Sequence, residues 1–195
     1  IIVKDDVFDE STLIALLNDV QKINAKDNLL STAKMGSKNS LVDSHILRGD
    51  EICWVTPDLC KELGLSAMKL FVQTMIKMIK PFQQDLGLMP DYSLQYALYS
   101  GNASGYVKHL DFNKAQYKVD GTVVRGRKLT VILYLNREWE GGQLRVHLPS
   151  PLTTVDEDPI GYFDIDPLLG RLVIFRSDHV EHEVLPCHKD RSALT

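Results

Sequence analysis

Cysteine is scarce in this chain of 195 residues: Cys53, Cys60 and Cys187 are its only three, an odd and scattered set. They lack the paired spacing of a zinc ribbon or of a secreted disulfide framework, so reduced intracellular thiols are the simpler reading. Long apolar runs are also missing. No segment approaches the roughly 20 residues that a membrane-spanning helix needs, and the opening IIVKDDVFDE does not have the pattern of a secretory signal. Because the first residue is Ile and the closing RSALT stops inside a strand-like pattern, both ends are read as trimmed, and a removed targeting segment stays open. Charge of one sign is lacking too. A formal net charge of -4 gives no whole-molecule attraction for nucleic acid or for an anionic membrane surface. There is no sequence repeat and no low-complexity tract.

What is present is an ordinary globular composition, 44% apolar and 25% charged, which predicts one domain over residues 1–195 with a full core. Helical support is expected over about 1–90 and a β-rich core over about 91–195. Leu13, Leu16, Leu17, Val20 and Ile23 recur at helical spacing within Ser11–Lys26, with Asp9 or Ser11 available as a cap. Residues 27–45 are polar and read as a loop. Ile52 and Trp54 in Arg48–Val55 suggest entry into a strand, and the Arg48-Gly49-Asp50 tripeptide reads as a turn. Between Pro57 and Lys80 the apolar positions, among them Leu70, Met75 and Ile76, fit one or two helices broken at Gly64 and ended by Pro81, with Met68, Met75 and Met78 as core filler.

Beyond Asp91 the texture changes to short runs, SLQYALYS, YVKHLDF, KLTVILYLN, QLRVHLP, GYFDIDPL, RLVIFRS and HEVLP, punctuated by turn residues. Helices followed by such strands predict an α+β fold, with the strands closed into a sandwich or barrel so that few edges stay open.

The chemistry centres on His109-Leu110-Asp111. In an extended strand, side chains two apart share a face, so an imidazole and a carboxylate converge on one point that could hold a metal. A third ligand must come from elsewhere, and DHVEHEVLPCHKDR offers His182, with His179 as its competitor. Two His and one carboxylate with the remaining positions open is the arrangement of non-haem Fe(II) oxygenases. Arg191 lies in a strand-like segment nine residues after His182. Buried there, it would suit a dicarboxylate ligand through two parallel, charge-assisted hydrogen bonds. Thr130, Ile132 and Tyr134 share one face of their strand, while Val131, Leu133 and Leu135 face the other way. Gly141-Gly142 marks a tight turn. His45, His147 and His188 are assigned no role.

Together, YSGNASGYVKHLD, TVILYLNREWEGGQLRV, GRLVIFRSDHVEHEV and the trailing Arg191 resemble the Fe(II)- and 2-oxoglutarate-dependent prolyl 4-hydroxylases. They are most similar to the oxygen-sensing branch that hydroxylates hypoxia-inducible factor and to its microbial relatives. RGDEICWV resembles a segment of the same branch, and the likeness covers nearly all of residues 48–195. It implies a double-stranded β-helix (jelly roll) with supporting N-terminal helices. It also implies that His109, Asp111 and His182 ligate iron, that Arg191 and Tyr134 hold the distal carboxylate of 2-oxoglutarate, and that Tyr99 and Thr195 lie at the cosubstrate pocket. The implied cofactors are Fe(II), 2-oxoglutarate and O2, with ascorbate as a candidate addition.

The implied reaction is hydroxylation of a prolyl residue in an intracellular protein, with release of succinate and CO2 and with oxygen sensing as a candidate purpose. The expected protein is a monomer in the cytoplasm or nucleus, with no membrane or nucleic-acid partner. The loop Asn113–Lys128 is longer and more basic than the resemblance leads one to expect. Arg125 and Arg127 in it, together with Arg48, are the candidate substrate contacts, and its charge favours an acidic peptide. Alternative readings are an oxygenase acting on another residue or on alkylated nucleic acid, and a noncatalytic binding module of the same fold.

Overall fold

The computed structural model describes residues 1–33, 48–112, 126–148 and 161–195. In chain order these form β1 (Ile2–Lys4), α1 (Glu10–Asn24), β2 (Ser31–Thr32), β3 (Asp50–Trp54), α2 (Pro57–Glu62), α3 (Ser66–Ile79) and a short 3-10 turn (Lys80–Phe82). The β-rich half follows as β4 (Gln95–Tyr99), β5 (Ser104–His109), β6 (Leu129–Tyr134), β7 (Leu144–Leu148), β8 (Gly161–Ile165), β9 (Leu172–Arg176), β10 (His182–Cys187) and β11 (Arg191–Leu194).

The strands make two antiparallel sheets, a large one in the order β1-β9-β6-β11-β4-β3-β2 and a small one in the order β5-β10-β7-β8. Strand alternation builds two cores from one large sheet. Ala97 and Tyr99 of β4, Ile132 and Tyr134 of β6, Val173 and Phe175 of β9 and Ala193 of β11 pack with Leu144, Val146, Ile165 and Val184 of the small sheet. Their neighbours one residue away, such as Tyr96, Leu133, Leu172 and Leu194, form the second core with Leu16, Val20 and Ile23 of α1 and Met68, Phe71 and Met75 of α3. This is the expected α+β double-stranded β-helix, with helices backing the large sheet.

Helix ends follow local chemistry. Asp9 caps α1 by accepting from the Thr12 amide at 2.7 Å, and Thr56 caps α2 by accepting from the Leu59 amide at 3.2 Å. Gly64, at φ +62°, separates α2 from α3, and α3 stops at Ile79, two residues before Pro81. The residue before α3, Leu65, has no capping side chain. Its role is taken from a distance by Asp19 of α1, whose buried carboxylate accepts from the Ala67 amide at 2.9 Å and the Met68 amide at 3.1 Å.

Three local expectations are corrected. Residues 31–32, read as loop, pair with β3 as β2, because Ala33 is buried under the sheet; residues 34–45 of that loop lie outside the described residues. Arg48-Gly49-Asp50 is no turn. Arg48 bridges to Tyr106, the Gly49 amide donates to the Gly105 carbonyl at 2.9 Å, and Asp50 starts β3. Met78 is 42% exposed, and Leu70 and Ile76 also face outward, since α3 has one sheet-facing stripe and these positions lie off it.

Replacing Asp19 by Ala leaves two amides at the start of α3 without acceptors and is expected to lower stability by about 2 kcal/mol. Asp19→Asn, which keeps an acceptor oxygen, should lose less. Urea denaturation of the three proteins checks this order.

Candidate active site

The site lies between the inner faces of the two sheets. His182, first residue of β10, stands directly opposite His109, last residue of β5, so strand register sets the imidazoles side by side with ring centroids 4.3 Å apart. Asp111 lies just past the end of β5. The chain bends there rather than continuing as the extended strand expected, and the carboxylate still turns to the same point. Its Oδ1 is 3.5 Å from Nε2 of His109 and 3.8 Å from Nε2 of His182, and ligand atoms of the three residues lie within 4.8 Å of one another. His179 does not compete. Its ring is exposed and bonded to Asp178 at 2.7 Å.

The ligand tautomers are set locally. Nδ1 of His109 lies 2.7 Å from the Val107 carbonyl, and Nδ1 of His182 lies 2.9 Å from the Val180 carbonyl. A carbonyl can only accept, so each Nδ1 carries a proton and each Nε2 is the ring nitrogen turned toward Asp111. Burial of His182 lowers its pKa, partly offset by the Asp111 charge, so the imidazole is neutral as a ligand must be. For Asp111, burial favours the protonated acid, but His109, His182 and the Thr130 hydroxyl outweigh it and hold the pKa well below the usual carboxylate range. An ionised carboxylate flanked by two imidazoles, each oriented by its Nδ1–carbonyl contact, matches what a divalent transition metal requires.

Farther along the large sheet sits Arg191, 3% exposed and opposite Tyr99 in register. Its Nε donates to the Gly142 carbonyl at 2.9 Å. That carbonyl is aimed by a backbone at φ +69°, and a Cβ at Gly142 would come within 3.0 Å of the Arg191 side chain, so glycine is required there. Among the described residues no carboxylate lies within ion-pair distance of Arg191. Its guanidinium instead lies 4.9 Å and 5.0 Å from the ring centroids of Tyr99 and Tyr134. The Tyr134 hydroxyl is buried with no hydrogen-bond partner. A buried cation beside an unpaired phenol is costly unless an anion joins them. A carboxylate accepting from both would satisfy each, and this is the fit expected for one end of 2-oxoglutarate. Burial raises the pKa values of Tyr99 and Tyr134, so both remain phenols.

Thr195 lines the same cavity and exchanges two 2.8 Å backbone bonds with Gln95. The three arginines expected at the substrate divide differently. Arg48 is held by Asp50 through bonds of 2.6 and 2.8 Å and by Gln95 at 3.2 Å, making it part of the cavity wall. Arg127, 47% exposed, stands at the rim 3.8 Å from Asp111 Oδ1, and Arg125 lies outside the described residues.

Sequence reasoning missed Tyr106, Asp50, Thr130 and Ser177 as contributors to the site. Tyr106 stacks on His109 with centroids 3.6 Å apart. The Arg48–Asp50 pair braces Tyr106, Arg48 lying 4.8 Å from its ring centroid. Thr130 and Ser177 hold Asp111 from behind. Of these only Thr130 carried a signal, its two-residue phase with Ile132 and Tyr134; Tyr106 and Ser177 meet their partners across strands far apart in sequence, and Asp50 sits in a tripeptide with the composition of a turn.

A buried two-histidine, one-carboxylate cluster between the sheets of a double-stranded β-helix, with a buried arginine nearby, defines a class. Residues 94–195 match the 2OG-Fe(II) oxygenase superfamily, and the chain belongs to it. Among curated relatives, Egl nine homolog 1 of Homo sapiens is 32% identical over 157 residues, 76% of this chain and 32% of that protein. The hypoxia-inducible factor prolyl hydroxylase of Caenorhabditis elegans is 32% identical over 158 residues, 76% of this chain and 19% of that protein. The chain therefore spans well under half the length of these relatives. Among solved structures, a Pseudomonas putida prolyl-4-hydroxylase superposes with a TM-score of 0.74 at 27% identity, covering 99% of this chain and 88% of that one. A prolyl hydroxylase from Trichoplax adhaerens, solved with a hypoxia-inducible factor peptide fragment, gives 0.79 at 25% identity over 99% and 80%.

His182→Ala is expected to weaken divalent metal binding by at least about 100-fold, since loss of an outer-shell partner alone costs up to that much, whereas His179→Ala should leave binding unchanged; titration with Mn(II) distinguishes them. The depressed His182 pKa also predicts a pH dependence of the metal-free protein. Below the ordinary value of 6.5 the unfolded chain takes up a proton that the folded chain resists, so stability falls as pH drops through that value. Asp111 adds a further loss as pH falls below 3.8. Melting temperatures measured from about pH 7.5 to about 4.5 should fall less steeply for His182→Asn than for the parent chain.

Proposed function

We propose that this chain hydroxylates a prolyl residue of a protein, using Fe(II), 2-oxoglutarate and O2. The observation that carries the reading is the pairing of two sites in one cavity: a His109–Asp111–His182 cluster suited to iron, and a buried Arg191 whose charge lacks a carboxylate partner among the described residues. Similarity to prolyl hydroxylases over three quarters or more of the chain supports proline as the substrate. The net charge of -4 counts against alkylated nucleic acid. Oxygen sensing is part of the proposal only through the relatives that act on hypoxia-inducible factor.

When bound, Fe(II) and 2-oxoglutarate supply the oxidative decarboxylation that couples O2 to C–H hydroxylation, with succinate and CO2 as co-products. The chain's own residues do the positioning. His109, Asp111 and His182 would hold iron from one side. Arg191 and Tyr134 would hold the distal carboxylate by donated hydrogen bonds, fixing the cosubstrate's length along the cavity. Ile132, Leu144, Val184 and Ala193 line that cavity and keep water from the reacting carbon. The rim, where Arg127 is exposed, would receive the peptide, and its charge favours an acidic residue near the target proline.

The chain would act as a monomer, with a single catalytic unit over residues 1–195. Cys53, Cys60 and Cys187 are free and buried, which supports a reducing compartment, cytoplasmic or nuclear. No helix among the described residues is long and apolar enough to cross a membrane.

Incubation with Fe(II), 2-oxoglutarate, ascorbate and proline-containing peptides is expected to release succinate and to add the mass of one oxygen atom to a prolyl residue. Asp111→Ala should abolish both, and equal turnover by that variant would overturn the proposal. Arg191→Met removes a charged hydrogen-bonding partner worth about 1.5–3 kcal/mol. It should raise the KM for 2-oxoglutarate by about 10- to 100-fold while leaving Mn(II) affinity near that of the parent.

A further inference from the structure

At the wall of the cavity, beside the ligand cluster, a pair of hydroxyls holds Asp111. Thr130 of β6 donates from Oγ1 to Asp111 Oδ2 at 2.5 Å, within the range of a strong bond to an ionised carboxylate. Thr130 is buried, and its Oγ1 lies 2.8 Å from Oγ of Ser177, which is also buried. A hydroxyl has one proton. Because that of Thr130 goes to Asp111, the Thr130 oxygen must accept from Ser177, and the chain of donors runs Ser177 to Thr130 to Asp111 Oδ2. Ser177 is anchored at both ends of its peptide unit. Its amide donates to the Lys128 carbonyl at 3.1 Å, and its carbonyl accepts from the Phe112 amide at 3.2 Å, next to Asp111 itself.

The consequence is that the two carboxylate oxygens of Asp111 are unequal. Oδ2 is claimed by the hydroxyl relay, and Oδ1 is the atom that faces Nε2 of both histidines. We propose that Thr130 and Ser177 are positioning residues that restrict Asp111 to binding the metal through Oδ1 alone. A carboxylate free to rotate can take a metal with both oxygens, occupying a position that a two-histidine, one-carboxylate oxygenase keeps open for cosubstrate and O2. The relay prevents this by making Oδ2 a hydrogen-bond acceptor and raising the cost of turning it toward the metal. The same bond also fixes the rotamer of a side chain that sits beyond the end of β5, where no strand pairing holds it.

This inference rests on the reading of His109, Asp111 and His182 as an iron site, and its test separates the two. Co(II) alone serves as the probe, read by affinity and by visible absorption, which reports coordination number and geometry. Thr130→Val, which keeps the shape but removes the donor, is expected to weaken Co(II) binding by about 10- to 100-fold and to shift the absorption spectrum, while Thr130→Ser restores both. Ser177→Ala leaves the direct bond to Asp111 in place but removes the donor that orients the Thr130 hydroxyl, and should give a smaller spectral shift and a smaller loss of affinity, so the inference stays testable if Thr130→Val does not fold. Melting curves of the metal-free proteins control for a merely structural role, which would not be rescued spectroscopically by serine. Folded Thr130→Val and Ser177→Ala proteins with the affinity and spectrum of the parent would overturn the inference while leaving the iron reading intact. Failure of the parent chain to bind Co(II) would overturn both.

Discussion

The antiparallel pairing of β10 with β5 is the constraint on which the site depends. Directly opposed residues in such a ladder have side chains on the same face and within a few ångströms of each other. Placing His182 opposite His109 therefore brings two imidazoles together with no further device. Slipping the register by one residue would send one of them to the other face of the sheet. Val184 of the same strand belongs to the apolar core between the sheets, so a slip would also exchange a core residue for a polar one. The pairing with β5 shifts register between His182 and Val184, and it is the continuous pairing of His182–Val184 with β7 that keeps metal ligand and core residue in step.

The large sheet solves the complementary problem, holding charge where the core is dry. Arg191 and Asp50 are both buried, and each would be costly alone. Asp50 is satisfied internally by Arg48 and so serves as structure. Arg191 is satisfied only in part, by the Gly142 carbonyl, with the unpartnered Tyr134 hydroxyl nearby. The distinction separates a structural ion pair from a binding site, and it depends on which charged groups lack partners rather than on where charges occur.

Much of this was legible in the chain. The two-residue alternation of Thr130, Ile132 and Tyr134 against Val131, Leu133 and Leu135 correctly divided β6 between cavity and outer core. Helix breaks at Gly64 and Pro81 followed from backbone limits that no tertiary contact can relax. What was not legible came from partners distant in sequence. Arg48-Gly49-Asp50 has the composition of a turn, yet pairing with β5 and β4 extends it. The apolar Leu70, Ile76 and Met78 fit a helix but not its buried stripe, which is set by the sheet beneath. Asp19 caps a helix 48 residues further on, a role no local pattern could announce.

By itself, the sequence determined the element types, the residues able to bind metal and carboxylate, and which side of each strand they occupy, because these follow from side-chain chemistry and from the fixed periods of strand and helix. The chain's resemblance already pointed to His182; tertiary structure alone decided that Arg191 has no internal counter-ion among the described residues and that Asp111 is held by Thr130 and Ser177. Those facts depend on strand register and burial, and both are set by how distant segments pack.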